Sequence, residues 1–204
     1  MTKVKICGLM EKEHVQVVVD AGADAIGFVF APSKRKLTVE QAKELAKEVP
    51  STVLKIGVFV DPSEQEIETA FREVPLDLVQ YHGNETPSFI QANAYPSVKA
   101  LSVKSEDDVE HAKQFQTDYY LFDAPGVDYQ GGSGLTFDWQ LMKGHRIPAD
   151  KVILAGGLNS TNVREAIQRV KPYMVDVSSG VEVDGRKDKE LIRTFIRAVK
   201  DGER

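Results

Sequence analysis

Strand-like runs alternate with amphipathic, helix-like stretches about eight times along the chain, at a period near 25 residues. No other feature constrains the fold as strongly, because repeated strand–helix units put their strands parallel and pack their helices on the sheet. The runs Val4–Cys7, Ala25–Phe30, Val53–Val60, Leu76–His82, Val98–Val103, Tyr119–Asp123, Val152–Ala155 and Met174–Ser178 have the length and apolar character of buried parallel strands. Between and after them, Glu11–Asp20, Val39–Val49, Glu64–Val74, Pro87–Ala94, Glu106–Phe115, Asn162–Val170 and Lys189–Lys200 read as helices. In the last of these, Leu191, Ile192, Phe195, Ile196 and Val199 form one apolar stripe. Thr38 opens a capping box with Gln41, and Asp61 and Thr86 each stand as a cap before a proline. The sixth unit is the weak one, since Phe137–Met142 is short for a helix.

Two architectures accommodate such a pattern: an open doubly wound sheet and a closed (β/α)₈ barrel of the TIM type. A dinucleotide-binding open sheet carries its glycine fingerprint after the first strand, where only Cys7-Gly8 is found. Glycines cluster late instead, in Gly131-Gly132-Ser133-Gly134, Gly156-Gly157 and Ser178-Ser179-Gly180. A barrel builds its phosphate site from the loops after strands seven and eight. The expected fold is therefore an α/β single (β/α)₈ TIM barrel spanning residues 1–204, with its active site at the C-terminal ends of the strands.

Composition narrows the function classes. With 26 Lys plus Arg against 31 Asp plus Glu, the formal net charge is −5, opposite to the basic face of nucleic-acid binders. A single Cys allows no intrachain disulfide and no multi-cysteine zinc site. No signal peptide and no membrane helix are legible, so a cytoplasmic protein that engages neither nucleic acid nor membrane is expected. A monomer and a homodimer are both compatible with the sequence.

In a barrel the chemistry falls to residues leaving the strands at their C-terminal ends. Cys7 ends the first strand, where it is either a small buried hydrophobe or, as thiolate, a base. Asp123 follows the apolar run Tyr119–Phe122, where poor solvation favours a protonated carboxyl suited to a general acid. The other role open to it is anchoring the next loop. His82 shares a strand face with Gln80 and is either a rival base or a structural histidine. The loops at Gly156-Gly157 and Ser179-Gly180 offer backbone N–H groups to an anion, or are simply tight turns. Arg35 is flanked by Lys34 and Lys36, which belong on the surface, and can reach into the mouth with a fork that fits a carboxylate. Lys5 and Asp176 occupy inward positions on the first and last strands, so closure predicts a buried ion pair between them.

The segments Val4–Gly8, Gly27–Phe30, Ser33–Arg35, Gly57–Val60, Val79–Gly83, Gly131–Gly134 with Phe137 and Trp139, Ala155–Leu158 and Asp176–Glu182, taken in order, resemble the phosphoribosylanthranilate isomerase family of tryptophan biosynthesis. Tyr81 departs from the pattern, the family often having Leu there. The resemblance implies an Amadori rearrangement of a small-molecule substrate, N-(5-phosphoribosyl)anthranilate, with no cofactor or metal. It also implies that Asp123 is the general acid and Cys7 the general base, and that Arg35 holds the anthranilate carboxylate. Amides near Gly132, Gly157 and Gly180 would hold the phosphate, with Gln80, His82, Gly156 and Ser179 completing the binding site.

Two alternatives stand beside it. One is the related sugar-phosphate isomerase of histidine biosynthesis, which has a carboxylate where Cys7 stands and a longer chain. The other is a non-catalytic phosphosugar-binding protein.

Overall fold

Eight parallel strands hydrogen-bond in chain order and close into a barrel. They are β1 (Lys3–Cys7), β2 (Ala25–Val29), β3 (Leu54–Phe59), β4 (Leu78–Tyr81), β5 (Ser97–Ser102), β6 (Tyr119–Asp123), β7 (Val152–Leu154) and β8 (Met174–Val177). The structure is a computed structural model that describes residues 1–125 and 136–201. Closure runs through β8 onto β1, with Lys3 opposite Met174 and Lys5 opposite Asp176. Each strand overlaps its expected run, β1 and β5 beginning one residue earlier, at Lys3 and Ser97, and most others trimmed by a residue or two at their ends.

The helices are α1 (Lys12–Asp20), α2 (Val39–Ala46), α3 (Glu64–Glu73), α4 (Pro87–Asn93), α5 (Glu106–His111), α6 (Val163–Val170) and α7 (Lys189–Asp201). Thr38 and Gln41 form the expected capping box, and Thr86 caps α4 ahead of Pro87. Asp61 is not a cap. It adopts φ +46°, and Ser63 caps α3 through its own box with Glu66. After β6 the sixth unit has no α-helix among the described residues, but two 3₁₀ turns, one over Trp139–Met142 that buries Met142 and one over Ala149–Lys151. None of the described helices is long and apolar enough to cross a membrane.

Between β8 and α7 the chain inserts a hairpin that the strand–helix alternation does not anticipate, β9 (Glu182–Val183) and β10 (Arg186–Lys187). Its turn is Asp184-Gly185, with φ +49° and +77°, the conformation that Asp-Gly favours in two-residue hairpins.

Apolar residues divide into two layers. Small and medium side chains fill the barrel axis, among them Ala25, Ile56, Val98, Ala100, Leu121 and Ile153. A larger cluster, including Ile6, Phe28, Ile67, Phe122 and Phe195, packs strands against helices. At the N-terminal end of the barrel a repeated device ties neighbouring strands. Asp24, Asp77 and Asp118 each directly precede an even-numbered strand. Each accepts the backbone N–H of a residue on the preceding strand: Val4 at 2.8 Å, Lys55 at 2.7 Å and Ser97 at 2.8 Å. These carboxylates belong to the stability face of the barrel, leaving the opposite face to chemistry.

Candidate active site

Parallel strands deliver their last side chains to one rim, and the expected residues meet there. Cys7 ends β1 at 8% exposure and Asp123 ends β6 at 7%. Beneath them Lys5 and Asp176 form the buried pair, Nζ to Oδ2 at 2.8 Å, with Lys5 fully enclosed. Burial pulls the Lys5 ammonium down, but the charge of Asp176, aided by Cys7, outweighs it and the net shift is upward.

The Cys7 thiol is moved by opposing forces. Burial pushes it up and prevails, while the cations Lys5 and Lys187 pull it down. Lys187 comes from β10. Its ammonium donates to the Ser178 carbonyl at 2.8 Å and to Glu182 Oε1 at 2.7 Å, and burial lowers its own pKa. Glu182 in turn accepts a two-point contact from Arg35, Nε to Oε1 at 2.6 Å and Nη2 to Oε2 at 2.8 Å. Burial resists ionisation of Glu182, yet the Arg35 hydrogen bonds and the Lys187 charge hold its carboxyl at about 2. Arg35 is thus anchored on its Nε–Nη2 edge by a residue of this chain.

The Glu182–Lys187 couple escapes a search confined to strand ends, because a short charged hairpin reads as a loop. Asp184-Gly185 is the dipeptide that announces it. Lys34 lies 3.6 Å from Glu182 and is largely exposed, as expected of it.

Across the mouth, His82 follows β4. Its Nε2 lies 3.5 Å from Asp123 Oδ2, and its Nδ1 lies 3.0 Å from the Gln80 amide nitrogen. The Gln80 amide oxygen accepts from Lys5 at 3.0 Å. The loop carrying His82 is itself braced. Glu85 accepts from the backbone N–H groups of Asp61 and Gly83, and its carboxylate pairs with buried Lys99 at 2.7 Å.

After β7, Gly156 and Gly157 take φ +83° and +60°. The Asn159 carboxamide then caps the following turn, accepting from the N–H groups of Thr161 and Asn162. Ser179 and Gly180 lie in a 3₁₀ turn after β8. Gly132 lies outside the described residues. A cavity of about 310 Å³ opens at the opposite end of the barrel, lined by Thr2, Asp150, Lys171 and Tyr173 among others, and contains none of these rim groups.

A sequence profile of N-(5′-phosphoribosyl)anthranilate isomerases matches residues 4–198. The chain belongs to this isomerase family. A relative of that name from Listeria welshimeri is 49% identical over 200 residues, covering 98% of this chain and 99% of the relative. One from Bacillus cereus is also 49% identical, over 202 residues and 98% of each chain. Among solved structures, the phosphoribosyl anthranilate isomerase of Thermotoga maritima superposes with a TM-score of 0.88 at 39% identity, over 98% of this chain and 100% of that one. A phosphoribosyl anthranilate isomerase solved in complex with reduced 1-(o-carboxyphenylamino)-1-deoxyribulose 5-phosphate superposes at 0.85 with 38% identity and the same coverage. Against the alternatives drawn from the sequence, the profile and the relatives alike favour the anthranilate-directed isomerase.

Proposed function

We propose that the chain converts N-(5-phosphoribosyl)anthranilate into 1-(2-carboxyphenylamino)-1-deoxyribulose 5-phosphate, with Asp123 as general acid and Cys7 as general base. The observation that carries these roles is the burial of a carboxyl group and a thiol at the same rim of the barrel, with two ammonium groups acting on the thiol. Protonated Asp123 gives its proton to the ribose ring oxygen as the bond from that oxygen to C1 breaks. The anilino nitrogen supplies the electron pair that forms the C1=N Schiff base. The cationic nitrogen then acidifies the C2 proton. Cys7 thiolate takes that proton, and the C2–H electrons form the C1=C2 bond of an enolamine, neutralising the nitrogen. Asp123 carboxylate takes the enol proton as the C2=O bond forms, the C1=C2 electrons take the proton held by the Cys7 thiol onto C1, and the ketone leaves both side chains as they began.

A thiol pushed up by burial is a minority thiolate at neutral pH but a stronger base once ionised. Lys5 and Lys187 offset part of that burial. Arg35, held on one edge by Glu182, directs its Nη1–Nη2 edge to the anthranilate carboxylate. The loops at Gly156-Gly157 and Ser179-Gly180 receive the phosphate on backbone N–H groups, with Gly132 assigned to the same role. A non-catalytic phosphosugar binder would have no need of an acid and a base at one rim.

The test is direct. Purified protein incubated with freshly prepared phosphoribosylanthranilate should extinguish the substrate's anthranilate-type fluorescence catalytically. Persistence of the fluorescence above the spontaneous decay would refute the proposal.

A further inference from the structure

Five polar side chains form one continuous line through the barrel, from Asp176 through Lys5, Gln80 and His82 to Asp123. Its direction follows from chemistry. A lysine ammonium only donates, so the oxygen of the Gln80 amide must face Lys5, where the separation is 3.0 Å. The amide nitrogen, which only donates, then faces His82 Nδ1 at 3.0 Å. Nδ1 must accept, which leaves the imidazole proton on Nε2, the nitrogen 3.5 Å from Asp123 Oδ2. Gln80 is only 1% exposed and both ends of its amide are engaged inside the barrel.

We propose that Gln80 is a positioning residue for the acid–base chemistry, one that fixes His82 as the Nε2–H tautomer and aims that N–H at Oδ2 of Asp123. This rests on the acid role assigned to Asp123. With Oδ2 facing an N–H at 3.5 Å, the transferable proton of Asp123 resides on Oδ1, and the carboxylate left after transfer has that N–H turned toward it. Lys5 stands second in the line and also lies against the Cys7 thiol, so one ammonium serves the base directly and the acid through two side chains, Gln80 and His82. Gln80 then acts through His82 rather than by touching substrate, which revises the binding role that the family resemblance implies for it.

Long-range proton–nitrogen spectra of unliganded, histidine-labelled protein read the tautomer without any turnover, the His82 signals being identified by their loss in His82→Gln. The expected wild-type result is an unprotonated Nδ1 and a protonated Nε2. Gln80→Glu presents only acceptors, so Nδ1 should gain a proton, kcat should fall about tenfold, and KM should stay within about twofold. A protonated Nδ1 in the wild type overturns the proposal, and that measurement stands even if Gln80→Glu fails to fold. An unprotonated Nδ1 in Gln80→Glu overturns it as well. So does a raised KM with unchanged kcat, the signature of a ligand contact. The expected tautomer in a protein that turns over no phosphoribosylanthranilate would refute the assigned reaction while leaving the His82 geometry intact.

Discussion

Replacing Lys5 by Met tests the physical centre of the barrel. The side chain is fully enclosed, and its ammonium serves Asp176 at 2.8 Å and Gln80 at 3.0 Å as well as the Cys7 thiol. Methionine keeps much of the length and removes every donor. Asp176 would suffer most, because its Oδ1 is already buried without a hydrogen-bond partner among the described residues. Removing one member of a buried pair typically destabilises by about 3–5 kcal/mol. In a chain of this size that corresponds to a fall of about 6–20 °C in melting temperature, at about 2–4 °C per kcal/mol. Replacing both members by apolar residues is often neutral, so Lys5→Met/Asp176→Leu should recover most of the loss. Burial opposes the upward shift on Lys5, but Asp176 outweighs it. The pair's contribution is therefore full below the ordinary lysine value of 10.5 and is lost only as pH rises through the higher folded value. Thermal melts at pH 7 of wild type, single and double variants decide the matter. A single variant less than about 1 kcal/mol below wild type, or a double variant no better than the single, would refute the reasoning.

Lys187→Met removes a cation that pulls the Cys7 thiol down, so the rising limb of kcat/KM against pH should move to higher pH, while Lys189→Met on the surface leaves it in place. Adding a methyl in Gly180→Ala would put Cβ 1.9 Å from the Leu158 carbonyl oxygen, a backbone atom that cannot swing aside. The melting temperature should fall by the equivalent of about 1–3 kcal/mol or more, and KM should rise as the phosphate loop shifts. Asp24→Ala at the far end of the barrel loses its bonds to the Val4 N–H and to Lys200 at 2.6 Å. It should cost about 1–3 kcal/mol in urea unfolding while leaving kcat unchanged.

What could be read from the chain follows from which interactions are periodic. The barrel was legible because strand and helix periods recur eight times, and the Lys5–Asp176 pair because alternation and closure together place both side chains inward. Cys7 and Asp123 stood out as polar groups ending apolar runs. Interactions with no local signature were not legible. The partner of Arg35 lies 147 residues away, in a hairpin whose charges look like surface. The line through Gln80 and His82 depends on side-chain reach across the barrel. Asp61 misled because Asp before Pro is a common helix start, whereas here its left-handed backbone leaves the cap to Ser63. Its carboxylate accepts from the Asn84 N–H at 2.6 Å instead, tying the loops after β3 and β4.

The central claim, that Cys7 and Asp123 divide the base and acid work of one rearrangement, is tested most directly by steady-state kinetics of Cys7→Ala and Asp123→Asn on phosphoribosylanthranilate. Each should lose about 10²-fold or more in kcat with little change in KM. Near-normal turnover in either variant would contradict the role assigned to that residue.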